Sequence, residues 1–469
     1  MPTANDTTVK GHVLHHWDPE NPEFWERTGA RIARRNLWIS IISLTLSFAI
    51  WVLWSVVTVN LDKVGFRFTS NQLFWLTALP ALSGATLRVF YSFMVPIFGG
   101  RRWTVISTLS LLLPAVGMGI ALQDSSTSYS TLLILAALCG LGGGNFSSSM
   151  ANISFFYPKA KKGTATGLNA GIGNLGVSLA QFVVPLVISS AMVGGLTGDG
   201  LHYVEKGVEK TLWLQNAGFV WVPFIVISAI LAWFGMNDIA DAKASFKDQA
   251  IIFRRKHNWL MCWLYVGTFG SFIGFSAGLA LLTKSQFPDV NPTQYAFLGP
   301  LVGALTRPVG GWISDRLKAG ATVTLYTFLL MVLGVVGVLF TLPSEGHAGN
   351  FPAFLGMFIL LFALSGIGNG STFRMIPVIF LTARTQEAEK TPEAQRQAVV
   401  QGNKEASAVL GFSGAVGAYG GFFIPKSFGT SLEATGSVDM ALYAFIAFYL
   451  SCMVVTWWFY ARKGARTPC

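Results

Sequence analysis

Charged residues are scarce in this chain. Of its 469 residues only 12% are Asp, Glu, Lys or Arg, whereas soluble proteins carry about a quarter. Hydrophobic residues make up 52%, so the composition excludes an ordinary soluble domain and indicates a membrane protein. The polar residues 1–36 lack the apolar core of a signal peptide, so the first hydrophobic segment is expected to remain as a helix.

Groups that could hold a metal, a haem or a proton are missing from the apolar segments. The four Cys have spacings that fit neither a metal site nor a disulfide framework. The six His lie in the N-terminal tail, in loops or at a helix end, which excludes axial haem ligands and an intramembrane His switch. No Asp or Glu lies at the centre of an apolar segment, where a proton relay would need one. We therefore expect no enzyme, no metal and no cofactor.

Twelve apolar segments are long enough to cross a bilayer, which takes roughly 20 residues. We expect an all-α membrane protein with two six-helix halves, 37–236 and 258–460, and cytoplasmic segments at 1–36, 237–257 and 461–469. A charged stretch at 382–405 is the other long link. The predicted spans are about 37–61, 72–98, 104–122, 131–157, 164–192, 212–236, 258–283, 293–313, 321–342, 351–381, 406–430 and 438–460.

Lys and Arg are distributed unevenly between the two ends of these segments. With the N-terminus placed in the cytoplasm, 24 of the 33 lie on the cytoplasmic side, six on the opposite side and three inside helices. This bias follows the positive-inside rule and accounts for the net charge of +11. Both termini are therefore predicted in the cytoplasm, which requires an even number of spans.

Three short motifs recur in the same order, each six helices later. Such a repeat predicts two halves related by a pseudo-twofold axis along the membrane normal, with a site at their interface near mid-membrane. The matching pairs are 84–88 with 303–307, 142–145 with 366–369, and the glycine-rich runs 167–176 with 411–420.

Three arginines interrupt the apolar segments, where a charge costs at least about 2 kcal/mol and is a functional candidate. Arg88 and Arg307 hold equivalent central positions in the repeat, so they should face one another. Two guanidinium groups there would repel unless an anion lay between them, and the planar fork of Arg suits a flat oxyanion. Alternatively, each could bind helix carbonyls or snorkel. Arg374 lies toward the cytoplasmic end of its segment, where snorkelling is favoured over binding.

Glycines repeat along one face of two segments. Close helix packing explains these positions as well as sliding of bare backbone while the halves rock. The spacing is four residues for Gly163, Gly167 and Gly171 and three residues for Gly414, Gly417 and Gly420.

Four other side chains in apolar segments could contact a ligand. Asn174 lies amid the first glycine run and could donate to an anion or bond a neighbouring helix. Tyr265 and Phe269 lie one turn apart, and Phe146 follows a glycine motif. A hydroxyl donor and flat rings would suit a planar ligand, but each aromatic alone is more often part of the core.

A glycine-rich turn with Asp315 and Arg316 follows the eighth segment. We interpret it as a cytoplasmic clamp between helices, with a solvated turn that serves topology only as the alternative. The equivalent first-half stretch, 99–103, lacks the Asp.

Together these features resemble a known family. The twelve spans, the six-plus-six repeat and the Gly-Asp-Arg turn are similar to the major facilitator superfamily. More narrowly, residues 79–103, 268–278 and the two glycine runs resemble the bacterial nitrate/nitrite porter family, and the likeness extends from about Trp17 to Trp457. The resemblance implies import of nitrate and export of nitrite across the bacterial inner membrane, in nitrate assimilation and anaerobic nitrate respiration.

The resemblance also implies roles for single residues. The two central arginines would clamp the anion, a Tyr and an Asn would add hydrogen bonds, and two Phe would wall the site. Two positions depart from the family pattern, since Ala170 stands where Gly is frequent and Arg374 where some members have Gln. The implied binding residues are Arg88, Arg307, Tyr265, Asn174, Phe146 and Phe269, and the implied signature glycines are Gly167, Gly171, Gly173, Gly411, Gly414 and Gly417.

Anion exchange by alternating access is the resulting hypothesis. An empty site would hold two unpaired charges, so the halves should rock more easily when loaded, which couples one anion in to one anion out. Proton-coupled nitrate symport is the alternative within transport. An anion channel and a membrane-anchored redox subunit are the alternatives from other classes, and the His positions disfavour the latter. The expected partners are nitrate, nitrite and the lipid bilayer, not nucleic acid, and the chain is expected to act as a monomer.

Overall fold

A computed structural model describes most of the chain, which is almost entirely helical there. Residues 1–8 and 11 of the predicted N-terminal segment and residues 241–249 of the predicted central loop lie outside the described residues. The described residues are 9–10, 12–190, 197–205, 207–240, 250–344, 346 and 348–469.

Among the described residues, eleven helices are long and apolar enough to cross a membrane. A twelfth helix lies where the eighth span was predicted and is less apolar because it carries Arg307, Asp315 and Arg316. The predicted all-α membrane fold is confirmed, while the orientation of the termini stays a prediction. We number the helices α1 Pro22–Asn60, α2 Ser70–Tyr91, α3 Gly100–Ala121, α4 Tyr129–Phe156, α5 Lys159–Ile188, α6 Asn216–Gly235, α7 Lys256–Gln286, α8 Leu298–Leu317, α9 Gly320–Thr341, α10 Phe351–Glu387, α11 Pro392–Thr435 and α12 Asp439–Ala461.

Most of the charged stretch 382–405 is helical, and the link between the helices shortens to 388–391. Helix α10 continues to Glu387, and α11 already begins at Pro392, where the Thr391 side chain accepts a hydrogen bond from the amide of Ala394. The sequence-based link was too long because a helix that continues beyond the apolar layer no longer needs apolar residues.

Five short strands lie between or before the helices in the described residues. Strand β1, Val9–Lys10, pairs antiparallel with β2, Val13–Leu14, which pairs in parallel with β5, Asp238–Ile239. Strands β3, Leu201–Glu205, and β4, Val208–Leu212, form an antiparallel hairpin. Because these strands are only two to five residues long, they add a few backbone hydrogen bonds to a helical fold.

The chain forms two compact units. Each has one helix whose most apolar stretch is almost entirely enclosed, namely α1 with 83% and α7 with 94% of its residues buried. A helix that is apolar all round packs inside a bundle, so these two are inner helices. The first unit comprises 1–53, 60–66 and 83–246, and the second comprises 54–59, 67–82 and 247–469.

The part of the predicted N-terminal segment that the structure describes packs within the first unit. Leu14 and Trp25 are buried in one cluster with Phe156 at the end of α4. The indole of Trp17 donates a hydrogen bond to the carbonyl oxygen of Phe155 at 3.1 Å. Residues that read as a solvated tail therefore cover the end of a membrane helix.

Small residues bring α4 against α2 in the first unit. A Cβ added at Gly140 would collide with the side chain of Ser83. One added at Gly144 would lie 3.0 Å from the ring of Tyr91 and 3.1 Å from Cβ of Leu87. The two helices therefore approach more closely than larger side chains would permit.

Helix α10 packs on α8 in the second unit with the same spacing of small residues. A Cβ at Gly366 would collide with the backbone of α8, and one at Gly370 would collide with the carbonyl of Arg307. Close approach through glycine therefore joins α4 to α2 in the first unit and α10 to α8 in the second.

Each unit carries an ion pair at the turn that follows its second helix. Asp315 accepts a hydrogen bond from Nε of Arg374 at 2.9 Å, which joins α8 to α10 as the predicted clamp. Arg374 therefore has a specific partner, where simple snorkelling was predicted. In the first unit Asp238, which follows α6, accepts from the backbone amide of Arg101 at 2.8 Å and from its Nε at 3.4 Å. The Asp that the first turn lacks is thus supplied from elsewhere in the chain.

Candidate functional site

Arg88 is fully buried in α2 of the first unit. Its Nε donates a hydrogen bond to the carbonyl oxygen of Gly143 at 2.9 Å. Its guanidinium carbon lies 4.5 Å from the ring centroid of Phe146 and 5.0 Å from that of Trp51. Aromatic faces attract a desolvated guanidinium, so these contacts fix where its planar end points. Phe146 was a predicted neighbour of the ligand, and Trp51 was not predicted.

Glycine makes this packing possible. A Cβ at Gly84, one turn before Arg88, would lie 2.7 Å from the indole nitrogen of Trp51 and 3.1 Å from Cα of Gly143. The motif that the repeat singled out therefore leaves the space in which an aromatic ring reaches the arginine.

Arg307 lies in α8 of the second unit and is 7% exposed. Its Nη2 donates a hydrogen bond to the hydroxyl of Tyr265 at 3.4 Å, and its guanidinium carbon lies 5.4 Å from the ring of Phe373. Its Nη1 is buried and has no hydrogen-bond acceptor among the described residues. A buried donor without an acceptor is costly, so this group is poised for a ligand that can accept.

Tyr265 and Phe269 flank a local widening of α7. Residues Val266–Gly270 form a π-helical turn, a feature that is frequent at functional sites. The two rings lie 5.6 Å apart, and both side chains are almost fully buried. Tyr265 reaches Arg307 as predicted, while the position of Phe269 in a ligand wall stays a prediction.

Asn174 lies in α5 and is 1% exposed. Its neighbours bring α5 directly onto α1, because a Cβ at Gly173 would lie 2.7 Å from Leu44 and one at Gly176 would collide with the carbonyl of Thr45. The side-chain oxygen of Asn174 accepts no hydrogen bond from the described residues. Its role in binding stays a prediction.

The signature glycines fall into two classes. A Cβ at Gly417 would lie 2.7 Å from the ring of Tyr265, and one at Gly173 would lie 2.7 Å from Leu44 of α1. At Gly167, Gly171 and Gly411 an added Cβ would meet no described atom within 4 Å. Close packing thus explains Gly173 and Gly417 and does not explain the other three. Gly414 is buried within α11.

Replacing Gly417 by Ala is expected to lower transport about tenfold, because the added methyl displaces a Tyr265 ring that bonds Arg307. Gly411→Ala, on the same helix, is the matched control and should keep wild-type thermal stability. Initial uptake rates in proteoliposomes, normalised to folded protein, measure the difference. Equal uptake by the two alanine variants would contradict this reading of Gly417.

One buried carboxylate in α11 was not predicted from the sequence. Glu405 lies in α11, is 6% exposed and accepts hydrogen bonds from Nη2 of Arg384 at 2.6 Å and from Arg255 at 3.2 Å. It was placed in a polar link because the extension of α11 was not predicted. Two guanidinium partners occupy it, so it belongs to an ion-pair cluster at the helix ends.

Residues 37–425 match the sequence pattern of the Major Facilitator Superfamily. The chain belongs to this superfamily. The nitrate/nitrite transporter NarU of Escherichia coli (strain K12) is 52% identical over 96% of this chain and 97% of its own length. The probable nitrate/nitrite antiporter NarK2 of Thermus thermophilus is 43% identical over 98% of this chain and 99% of its own. This major facilitator chain is therefore a member of the family that contains these transporters, as its motifs predicted.

Solved structures agree with this membership at the level of the fold. A D-xylose-proton symporter superimposes on this major facilitator chain with a TM-score of 0.65, covering 90% of this chain and 97% of its own at 12% identity. A bacterial homologue of the human lysosomal transporter Spinster, inward-facing and occupied, gives a TM-score of 0.60 at 15% identity, covering 90% of this chain and 95% of its own. At such identities the likeness shows the fold alone.

Proposed function

We propose that this chain exchanges nitrate for nitrite across the bacterial inner membrane, with Arg88 and Arg307 holding the anion. Relatives at 52% and 43% identity are a nitrate/nitrite transporter and a probable nitrate/nitrite antiporter. The repeat supports the two arginines as a pair, since they hold equivalent positions in motifs that are spaced alike. Tyr265 and Asn174 add hydrogen bonds, and Phe146 and Phe269 wall the site.

The state of Arg307 carries this proposal. Its guanidinium is buried, its Nη1 has no acceptor, and no carboxylate of the described residues forms an ion pair with it. A buried cation without a counter-charge is strongly unfavourable. A planar oxyanion would supply both the negative charge and an acceptor that lies in the plane of the fork. Nitrate and nitrite have this chemistry.

Exchange is favoured over proton symport because the buried carboxylates of the described residues are already paired with arginines, as Asp238 is with Arg101. Glu405 is the buried Glu of α11, and Arg384 and Arg255 already pair with it. Without a proton, the two buried arginines stay charged in an empty carrier, and alternating access is then slow. A bound monovalent anion lowers that barrier in either direction, so each crossing carries an anion. Proton-coupled nitrate symport remains the second candidate.

Reconstituted transport tests the proposal. Purified protein in liposomes loaded with nitrite, nitrate or chloride would be mixed with external nitrate, and uptake followed with and without a pH gradient. We expect uptake to need internal nitrite or nitrate and to ignore the pH gradient. Uptake that ignores internal nitrite and follows the pH gradient would overturn exchange in favour of symport.

A clamped membrane potential separates a carrier from a channel in the same vesicles. One-for-one exchange of monovalent anions moves no net charge, so a potential set with potassium and valinomycin should leave the rate unchanged. Uptake that rises with an inside-positive potential and needs no internal anion would indicate a channel. Protein-free liposomes give the leak that is subtracted from each trace.

Nitrate respiration and nitrate assimilation are the processes in which such an exchanger would act. We propose a monomer in the lipid bilayer with both termini in the cytoplasm, as the distribution of Lys and Arg favours. The chain then needs no nucleic acid, metal or cofactor.

A further inference from the structure

Hydroxyl groups are concentrated in the interior of the first unit. A narrow cavity between α1, α3 and α4 has room for about one water molecule, and its lining is polar except for Leu44. We call it the hydroxyl nest. The members that matter here are Ser47, Ser107, Thr108 and Asn145.

Two buried polar atoms in the hydroxyl nest have no partner among the described residues. They are the side-chain oxygen of Asn145 and the hydroxyl of Thr108. Asn145 is 5% exposed and Thr108 is fully buried. The large majority of buried side-chain polar atoms bond protein or ordered water, so two such atoms beside one cavity indicate that a molecule occupies it.

The orientation of Asn145 is set by its amide nitrogen. Nδ2 donates to the hydroxyl of Ser47 at 2.8 Å and to the carbonyl oxygen of Ser107 at 3.4 Å. The hydroxyl of Ser47 in turn donates to the carbonyl of Ser43 at 2.8 Å. With its nitrogen committed in this way, Asn145 presents its oxygen as an acceptor that needs a donor.

We propose that the hydroxyl nest binds a water molecule that donates to Asn145 Oδ1 and bonds the Thr108 hydroxyl. A cation does not suit this cavity, because no carboxylate lines it and a bare ion would lose its hydration shell without compensation. A water that makes two or more hydrogen bonds to otherwise unsatisfied groups is a normal part of a protein interior.

Asn145 is then a positioning residue for Arg88, an inference that rests on the proposed function. Gly143, whose carbonyl accepts from Arg88, lies two residues before Asn145 on α4, and Phe146 is the next residue. Water and amide together tie this part of α4 to α1 and α3. The rotation of α4 therefore sets where the guanidinium of Arg88 points.

The sign of a stability change tests for the water. Thr108→Val keeps the shape of the side chain and removes a hydroxyl that no described residue bonds. If the hydroxyl nest is dry, removing an unsatisfied polar group raises Tm. If a water is bound, the substitution removes one of its hydrogen-bond partners and weakens its bond to Asn145, so Tm falls. We expect a lower Tm, and a higher Tm would overturn the proposal.

Thr327→Val supplies the matched baseline, since the Thr327 hydroxyl is buried and bonds the Val323 carbonyl of its own helix at 2.8 Å. A high-resolution experimental map is the direct check. It should show solvent density between Asn145 and Thr108, and a dry cavity in such a map would also overturn the proposal.

The positioning role needs a readout that folding alone does not move. Asn145→Ala should raise KM for nitrate about tenfold, because Arg88 is then less well oriented by about the free energy of one hydrogen bond. The kcat per folded protein should change little. Exposed Asn403→Ala is the control. Unchanged KM in Asn145→Ala, with wild-type nitrate transport intact, would leave the water purely structural. Absence of nitrate transport in the wild type would instead refute the proposed function.

Discussion

Replacing Arg307 by Lys is expected to reduce nitrate transport on the order of a hundredfold, because one ammonium cannot replace a planar fork. In the structure Nη2 of Arg307 bonds Tyr265 while Nη1 has no acceptor among the described residues. Lysine would have to choose between the tyrosine and the anion. Initial nitrate uptake and nitrate-dependent thermal stabilisation both measure the loss.

Nitrate transport by the Arg88→Lys variant should fall by a similar factor, because different contacts are lost. The variant loses the hydrogen bond from Nε to Gly143 and the broad contact of a guanidinium with Phe146. Arg316→Lys is the control, since Arg316 is exposed at the end of the same helix as Arg307. Wild-type uptake in either buried variant would remove that arginine from the site.

Asp238→Ala is expected to destabilise the first unit by about 3 kcal/mol, since it leaves Arg101 buried without its counter-charge. Both side chains are less than a tenth exposed, and Asp238 also accepts from the backbone amide of Arg101. Among the described residues, Arg101 then keeps its hydrogen bond to the Trp233 carbonyl and its place over that ring. The midpoint of thermal unfolding in detergent should drop accordingly.

Glu23→Ala calibrates that experiment. It breaks the exposed ion pair between Glu23 and Arg27, at 3.0 Å and more than half exposed on both sides, and should change stability by less than about 1 kcal/mol. If Asp238→Ala lowers the thermal unfolding midpoint no more than Glu23→Ala does, the buried Arg101–Asp238 pair does not stabilise the turn.

Hydropathy predicted the helical body well because each span must satisfy its own backbone in lipid. It failed where that constraint ends. Residues 382–387 and 392–405 are helical and the segment from Leu14 to Trp25 packs on α4, although both are polar in sequence. Their partners lie far away in sequence, as with Trp17 and Phe155, and no local pattern encodes such a pairing.

Part of the site was also predictable from the requirements that lipid imposes on a helix. Arg88 and Arg307 stood out because a charge in an apolar helix is rare and expensive. Trp51 and Phe373, which lie against them, did not stand out, since aromatic residues make up 13% of the chain and each one alone resembles core. The glycines were visible as a pattern, but only the packing separates Gly417 against Tyr265 from Gly411 beside open space.

The strand β2 has a consequence for the order of assembly during synthesis. Val13–Leu14 leave the ribosome before the six helices of the first half, yet they pair with Asp238–Ile239, which follow the sixth helix. Chain segments fold as they emerge, N-terminal parts first. This pairing cannot form until all six helices of the first half have been made. The N-terminal strand therefore closes the first unit only when that unit is complete.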